Sequence, residues 1–241
     1  MSKWWVWLMP ALMLGEEPPV RIRDLVQRVS STYLGAAKGV SVQATVLQDA
    51  ASWETRLASS NQVRVVRSET ASLFEFRSTR YLWISDAQRA LTWNPDSGRY
   101  FVTTEDGRDR KLIAAYIDHW YRRVWGRFAN LSKLEAEFRQ TATENVRGEG
   151  RTIRCAVVDV IPSDPRETWR ERLWIEPETG LIWRSKMTWP PRPGFMGSIQ
   201  TIQFEEIRTG PPPADFADFV PPRGSRRNKT LVRPPNVDSA P

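Results

Sequence analysis

The chain has 241 residues, with 35 Lys+Arg against 28 Asp+Glu, one His, one Cys, 18 Pro, 12 Trp and 40% apolar residues. That composition is globular, and the only long apolar run, Trp4 to Leu14, is shorter than the ~20 residues a spanning helix needs, which excludes a polytopic membrane fold. One Cys and one His exclude an intrachain disulfide, a cysteine-built zinc site and an iron–sulfur cluster made by this chain alone, so a metal would have to be held by carboxylates; no cofactor and no metal is expected.

At the N-terminus Lys3 precedes the apolar stretch WWVWLMPALML, followed by small Gly15 and then Glu16-Glu17-Pro18-Pro19. This order predicts a secretory signal peptide over residues 1–15 and a periplasmic mature chain. The alternative is a buried N-terminal helix or a retained anchor. No Cys follows the run, so the chain is not itself a lipid-modified lipoprotein. The net charge of +7 is spread along the chain. Arginines alternate with acids in nearly every segment, where a nucleic-acid groove would concentrate them, and no nucleic-acid partner is expected.

Ile22, Leu25, Val26, Val29 and Tyr33 share one face at helical spacing, which predicts an amphipathic helix over 21–34 ended by Gly35. A strand follows over Val40 to Leu47. From Val63 to Thr104 the period changes to two, in the segments Val63–Arg67, Leu73–Arg77, Arg80–Ser85, Arg89–Trp93 and Arg99–Thr103. Asn94-Pro95-Asp96-Ser97-Gly98 is the most explicit turn among them. Leu112, Ile113, Tyr116, Ile117, Trp120 and Val124 then predict a second helix over 109–125.

Strands resume at Phe138–Val146, Arg151–Ile161, Thr168–Glu176, Leu181–Trp189 and Ser198–Arg208. Turns at Gly148-Glu149-Gly150 and Glu176-Pro177-Glu178-Thr179-Gly180 join neighbours as antiparallel hairpins. A bulge at Glu205-Glu206 would explain why Ile207 breaks the alternation of Ile202 and Phe204. The order of elements, with no βαβ alternation, predicts one α+β domain over 16–226 built on a large antiparallel sheet. Past Gly210 the proline-rich segment with Phe216 and Phe219 reads as a strap across the body. The basic, proline-rich residues 227–241 read as a disordered tail.

Tyr81 and Trp83 occupy odd positions of one strand, Leu91 and Trp93 of the next, and Leu181, Trp183, Met187 and Trp189 of a later one. These alternations predict an apolar sheet face opposite a polar one. With only two helices to cover it, that face leaves a concave hollow suited to a lipid, to which Phe76 and Trp120 also contribute. The alternative for each Trp singly is ordinary core.

Catalytic signals are absent: there is no Gly-x-Ser-x-Gly, P-loop or Gly-x-Gly-x-x-Gly turn. His119, beside Asp118, reads as a residue on a helix flank, since no partnered nucleophile accompanies it. Cys155 alternates with Ile153 and Val157 and reads as a small buried apolar residue. The chain is not expected to be an enzyme.

The order of these elements resembles the LolA-like superfamily: the periplasmic lipoprotein carriers, the LolB receptor and the N-terminal domain of the RseB/MucB regulators. Asp24-Leu25 through Val29-Ser30-Ser31 and on to Val40–Leu47 looks like the family's opening helix and first strand. Tyr81-Leu82-Trp83-Ile84-Ser85-Asp86, then Leu91-Thr92-Trp93-Asn94-Pro95, is similar to its paired central strands. Leu173-Trp174-Ile175-Glu176 with Thr179-Gly180-Leu181, and Phe219-Val220-Pro221-Pro222-Arg223-Gly224, are similar to its later hairpin and its closing segment.

The resemblance implies an incomplete, strongly curved antiparallel barrel covered by a helical lid, which binds acyl chains without chemistry. It also implies that Arg67, on an early strand, bonds to the lid. Ser68-Glu69 and Ala87 depart from the carriers' pattern and point to a diverged relative. The implied function is a periplasmic carrier or binding protein for lipid or lipoprotein acyl chains, acting as a monomer. A membrane-associated donor or acceptor protein is a candidate partner. The alternative is an RseB-like envelope-stress sensor acting through a protein partner.

Overall fold

The computed structural model describes residues 21–35, 39–51, 56–68, 73–78, 80–86, 88–105, 107–194, 196–210 and 219–231. The expected signal peptide, Phe216 and the chain beyond Leu231 lie outside them. In chain order the elements are α1 (Ile22–Gly35), β1 (Gly39–Ala51), β2 (Arg56–Ser68), β3 (Leu73–Ser78), β4 (Leu82–Ser85), β5 (Ala90–Asn94) and β6 (Arg99–Thr103). Then come α2 (Arg108–Val124), a 3₁₀ segment (Gly126–Lys133), β7 (Ala136–Gly148), β8 (Arg151–Pro162), β9 (Arg170–Ile175), β10 (Ile182–Trp189), β11 (Gly197–Thr209) and β12 (Arg226–Arg227).

All twelve strands form one sheet in the order β12-β6-β5-β4-β3-β2-β1-β11-β10-β9-β8-β7. Its two edges do not pair, so the curved sheet stays open rather than closing into a barrel. Every pairing is antiparallel except β12 with β6, which is parallel. That exception corrects the expected tail boundary. Arg226 and Arg227 pair with Arg99 and Tyr100, and Asn228 N–H donates to the Tyr100 carbonyl at 2.7 Å.

Local chemistry sets these elements. Glu149 and Gly150 both have positive φ, 50° and 72°, the two-residue turn whose twist suits a tight hairpin. The expected bulge is present: Gln43 pairs with Glu206 and Ala44 with Phe204. Glu205 is therefore the extra residue, and Ile207 turns back inward at 7% exposure. The 3₁₀ segment is not foreseen by the sequence reading.

Both helices lie against one face of the sheet. Ile113, Ile117, Tyr121 and Val124 of α2, spaced by three and four, are buried there with Val63, Val65, Phe76, Trp83 and Phe101 of the strands. On the other side of the domain, α1 packs on the 3₁₀ segment. Tyr33 stacks on Trp125 at 4.2 Å between ring centroids and meets Phe128 edge-on at 5.2 Å. Each such buried side chain contributes about 1.5–3 kcal/mol through removal from water.

The opposite face carries its own buried set, Val66, Leu82, Ile84 and Leu91. The acid Glu75, fully buried, lies 3.1 Å from the Arg77 guanidinium and 3.8 Å from that of Arg64. The Phe219 ring approaches Trp93 at 6.2 Å, and the Phe219 carbonyl accepts from Arg89 at 3.5 Å. This much of the expected strap is in place.

Candidate functional site

Cross-strand register decides which aromatic residues share a face. Phe76 pairs with Trp83 and Trp83 with Thr92, so Phe76 and Trp83 point together toward α2. Leu91 pairs with Ile84 and Trp93 with Leu82. Residues paired across a ladder point to the same side, so Leu91 and Trp93 lie on the opposite face, and their place in the expected hollow is corrected. Period two fixes alternation within each strand, but not the phase of one strand against the next.

Later in the chain, Ser185, Met187 and Trp189 pair with Ile202, Gln200 and Ser198 and face the helices. Trp183 does not join them. A register irregularity between Ile182 and Arg184 shifts the phase, and Trp183 is fully buried beneath the β7–β8 turn. A Cβ built on Gly148 would stand 2.3 Å from its ring. Its indole donates to Glu176 at 3.2 Å. Leu181 precedes β10 and packs against the core at half exposure. Neither Trp183 nor Leu181 belongs with Met187 and Trp189.

The hollow expected across the sheet is largely filled by α2. Trp120 stacks on Phe76 at 4.6 Å, and Tyr116 stacks on Trp83 at 4.0 Å. Phe76 and Trp83 are 2% and 3% exposed, whereas Tyr116 and Trp120 remain half-buried, as does Tyr81. Burial pushes the Tyr116 phenol up from its ordinary range. Arg67 of β2 reaches the same helix: its guanidinium lies over the Tyr121 ring at 4.5 Å. A cation over an aromatic face is a contact worth about 0.5–2 kcal/mol.

What remains open is a cavity of about 210 Å³ at the C-terminal end of α2, lined by Gln48, His119, Arg123, Arg127, Met187, Trp189, Ser198 and Gln200. That is below the ~300 Å³ at which pockets usually enclose a small ligand. The Arg123 guanidinium lies over Trp120 at 5.3 Å and reaches Gln48 at 3.4 Å. With the Gln200 amide oriented to satisfy both partners, Arg123 Nε donates to it at 3.2 Å. Arg127 pairs with Glu171 at 2.6 Å and donates to the Ser185 hydroxyl, also at 2.6 Å. Burial, and then the neighbouring Arg127, lower the Arg123 pKa.

His119 stands exposed at the rim, its pKa lowered first by burial of the ring and then by Arg123. Asp118 pairs with Arg122 at 2.8 Å. Cys155 is fully buried, and burial pushes its thiol up to about 12, so it is inert in the folded chain. The sequence reading missed Arg123 and Arg127. The available signal for Arg123 was its spacing from Tyr116 and Trp120, which extends one helical row beside the buried stripe; Arg127 lies past the end of α2, in the 3₁₀ segment.

No family model matches the chain, and no curated protein matches it. Among solved structures it is similar to the lipoprotein LppX of Mycobacterium tuberculosis, at 15% identity and TM-score 0.44, over 80% of this chain and 98% of that one. It is also similar to the MucA/MucB complex of Pseudomonas aeruginosa, at 17% identity and TM-score 0.41, over 80% of this chain and 59% of that one. A third is a LolA superfamily protein from Nitrosomonas europaea, at 7% identity and TM-score 0.31, over 82% of this chain and 98% of that one. The chain thus spans 59% of the matched chain in the MucA/MucB complex. These are distant likenesses of fold.

Proposed function

We propose that this chain is a periplasmic binding protein or carrier that takes acyl chains of a lipid or lipoprotein between α2 and the helix face of the sheet. One observation carries the reading. A continuous set of rings, Phe76, Trp83, Tyr116 and Trp120, lines the seam under α2 and runs toward the cavity at Met187 and Trp189.

In this reading the structure corresponds to the closed form. Its cavity is too small for a long chain, so α2 must move off Phe76 and Trp83 to admit one. The gain on entry is ample, since each methylene removed from water contributes about 0.8 kcal/mol. Release then needs a trigger, for which a membrane-associated partner is the natural source. No proton transfer or nucleophile enters this reading. Export by residues 1–15 supplies the compartment, and the domain acts as a monomer.

The test is native mass spectrometry of protein purified without detergent, with organic extraction and titration of a fluorescent fatty-acid probe. Heterogeneous adducts of fatty-acid or phospholipid mass, or saturable uptake of the probe, are expected. A clean apo mass with no uptake would overturn the proposal and direct attention to a protein-contact role.

A further inference from the structure

The cavity at the end of α2 holds more positive charge than its surroundings answer. Its lining carries two arginines and no acid, and only Arg127 has a carboxylate partner, Glu171. Arg123 is held by the neutral carboxamides of Gln48 and Gln200. Two further groups in the same wall lack partners. Among the described residues, the hydroxyl of Ser198, a residue 4% exposed, has no hydrogen-bond partner, and neither has the buried Nε–H of Arg127. Buried donors are normally satisfied, and a buried charge is normally paired.

Two guanidinium groups, an idle hydroxyl and an idle N–H around one cavity share a single complement, an oxyanion. The cavity stands where the aromatic row ends, because Tyr116 and Trp120 lead along α2 to Arg123, with Arg127 following in the 3₁₀ segment. We propose that the cavity seats the anionic head, a carboxylate or a phosphate group, of an amphiphile whose tail lies along the rings under α2. This rests on the acyl-chain reading above and adds the charge of the ligand to it. His119 at the rim adds a further donor.

The test compares decanoate, decyl phosphate, decanol and decyltrimethylammonium below their micelle concentrations, together with inorganic phosphate, by calorimetry and by Trp fluorescence. The anionic compounds are expected to bind ~10-fold or more tighter than decanol. Arg123→Gln should remove that preference while leaving decanol affinity in place. Arg122→Gln, which changes the net charge equally at an exposed site, should retain it. Ser198→Ala deletes an unpaired buried hydroxyl without threatening the fold. It should weaken the anions several-fold and decanol not at all, and it carries the test if Arg123→Gln fails to fold.

Equal affinity for anion and alcohol would overturn the head-group site and leave acyl binding standing. Binding of phosphate alone, with no gain from the decyl tail, would uphold the anion site and overturn the acyl-chain reading. Loss of the preference in Arg122→Gln as complete as in Arg123→Gln would assign the effect to the general field and overturn the site.

Discussion

The two helices meet the same sheet face in different ways. Around α1 the contacts are deep and directional: Tyr33, Trp125 and Phe128 are each at most 1% exposed. Their surroundings are tied to backbone. The Tyr33 hydroxyl accepts from Ile182 N–H at 3.2 Å, Thr32 donates to the Thr179 carbonyl at 2.7 Å, and Ser30 accepts from Ser132 N–H at 2.8 Å. Under α2 the half-buried Tyr116 and Trp120 stack on the buried Trp83 and Phe76, beside the buried stripe of Ile113, Ile117, Tyr121 and Val124, and one arginine lies over Tyr121. Separating stacked rings exposes apolar area alone, whereas breaking these hydrogen bonds leaves backbone groups unpaired. The two helices are thus held differently: α1 by buried rings and hydrogen bonds to backbone, α2 by a buried stripe flanked by stacked rings.

The sharpest way to break this contrast is at Trp125. Trp125→Ala empties the junction between Tyr33 and Phe204 and is expected to cost about 3–5 kcal/mol in denaturant unfolding. A loss as small as that of an α2 ring would show that the two halves are not different.

The carboxylate Glu176 comes next. Burial pushes its pKa up, but hydrogen bonds from Thr179, Trp183 and Arg151 outweigh this and bring it below the ordinary value. A depressed carboxyl stabilises the fold above its unfolded pKa, and that stability is lost as the pH falls through the folded one. Glu176→Gln is therefore expected to cost about 1–3 kcal/mol at neutral pH. Its unfolding midpoint should fall less than the wild type's between about pH 5 and pH 3.

Gly148→Ala is expected to cost about 1–3 kcal/mol, because the new methyl must displace the Trp183 ring. Thermal unfolding by circular dichroism measures it. Arg67→Met should have the smallest global effect, below about 1 kcal/mol. Its signature is local: amide exchange in α2 should quicken several-fold while exchange in α1 stays unchanged. Equal acceleration in both helices would remove the distinction between the two.

Much of this architecture is legible in the residues. Alternation places eleven of the strands, the 3.6-residue period places both helices, and the misplaced Ile207 reveals the bulge that Glu205 occupies. The family resemblance singled out Arg67 for a bond to the lid; its guanidinium lies over the Tyr121 ring of α2. Facing is legible only within a strand. The turn between β4 and β5 sets the phase that sends Leu91 and Trp93 away from Trp83, and one irregularity in β10 sends Trp183 under Gly148. Neither depends on hydrophobic pattern. Arg123 and Arg127 stay hidden because arginine on a helix flank ordinarily faces water. The 3₁₀ segment stays hidden because its eight residues are too few to show a period.

Cys155, the chain's only thiol, lies in β8 at 0% exposure, away from strands β2–β5, where α2 packs most. Its protonated, shielded sulfur makes it a clock wired to one event. On the proposal that α2 lifts to load its ligand, an alkylating reagent is expected to stay shut out of this site until the β7–β9 end of the sheet comes apart. Labelling of Cys155 during ligand loading therefore times unfolding separately from lid motion. A protein that fills and empties many times without acquiring the label has opened its seam while its sheet remained intact.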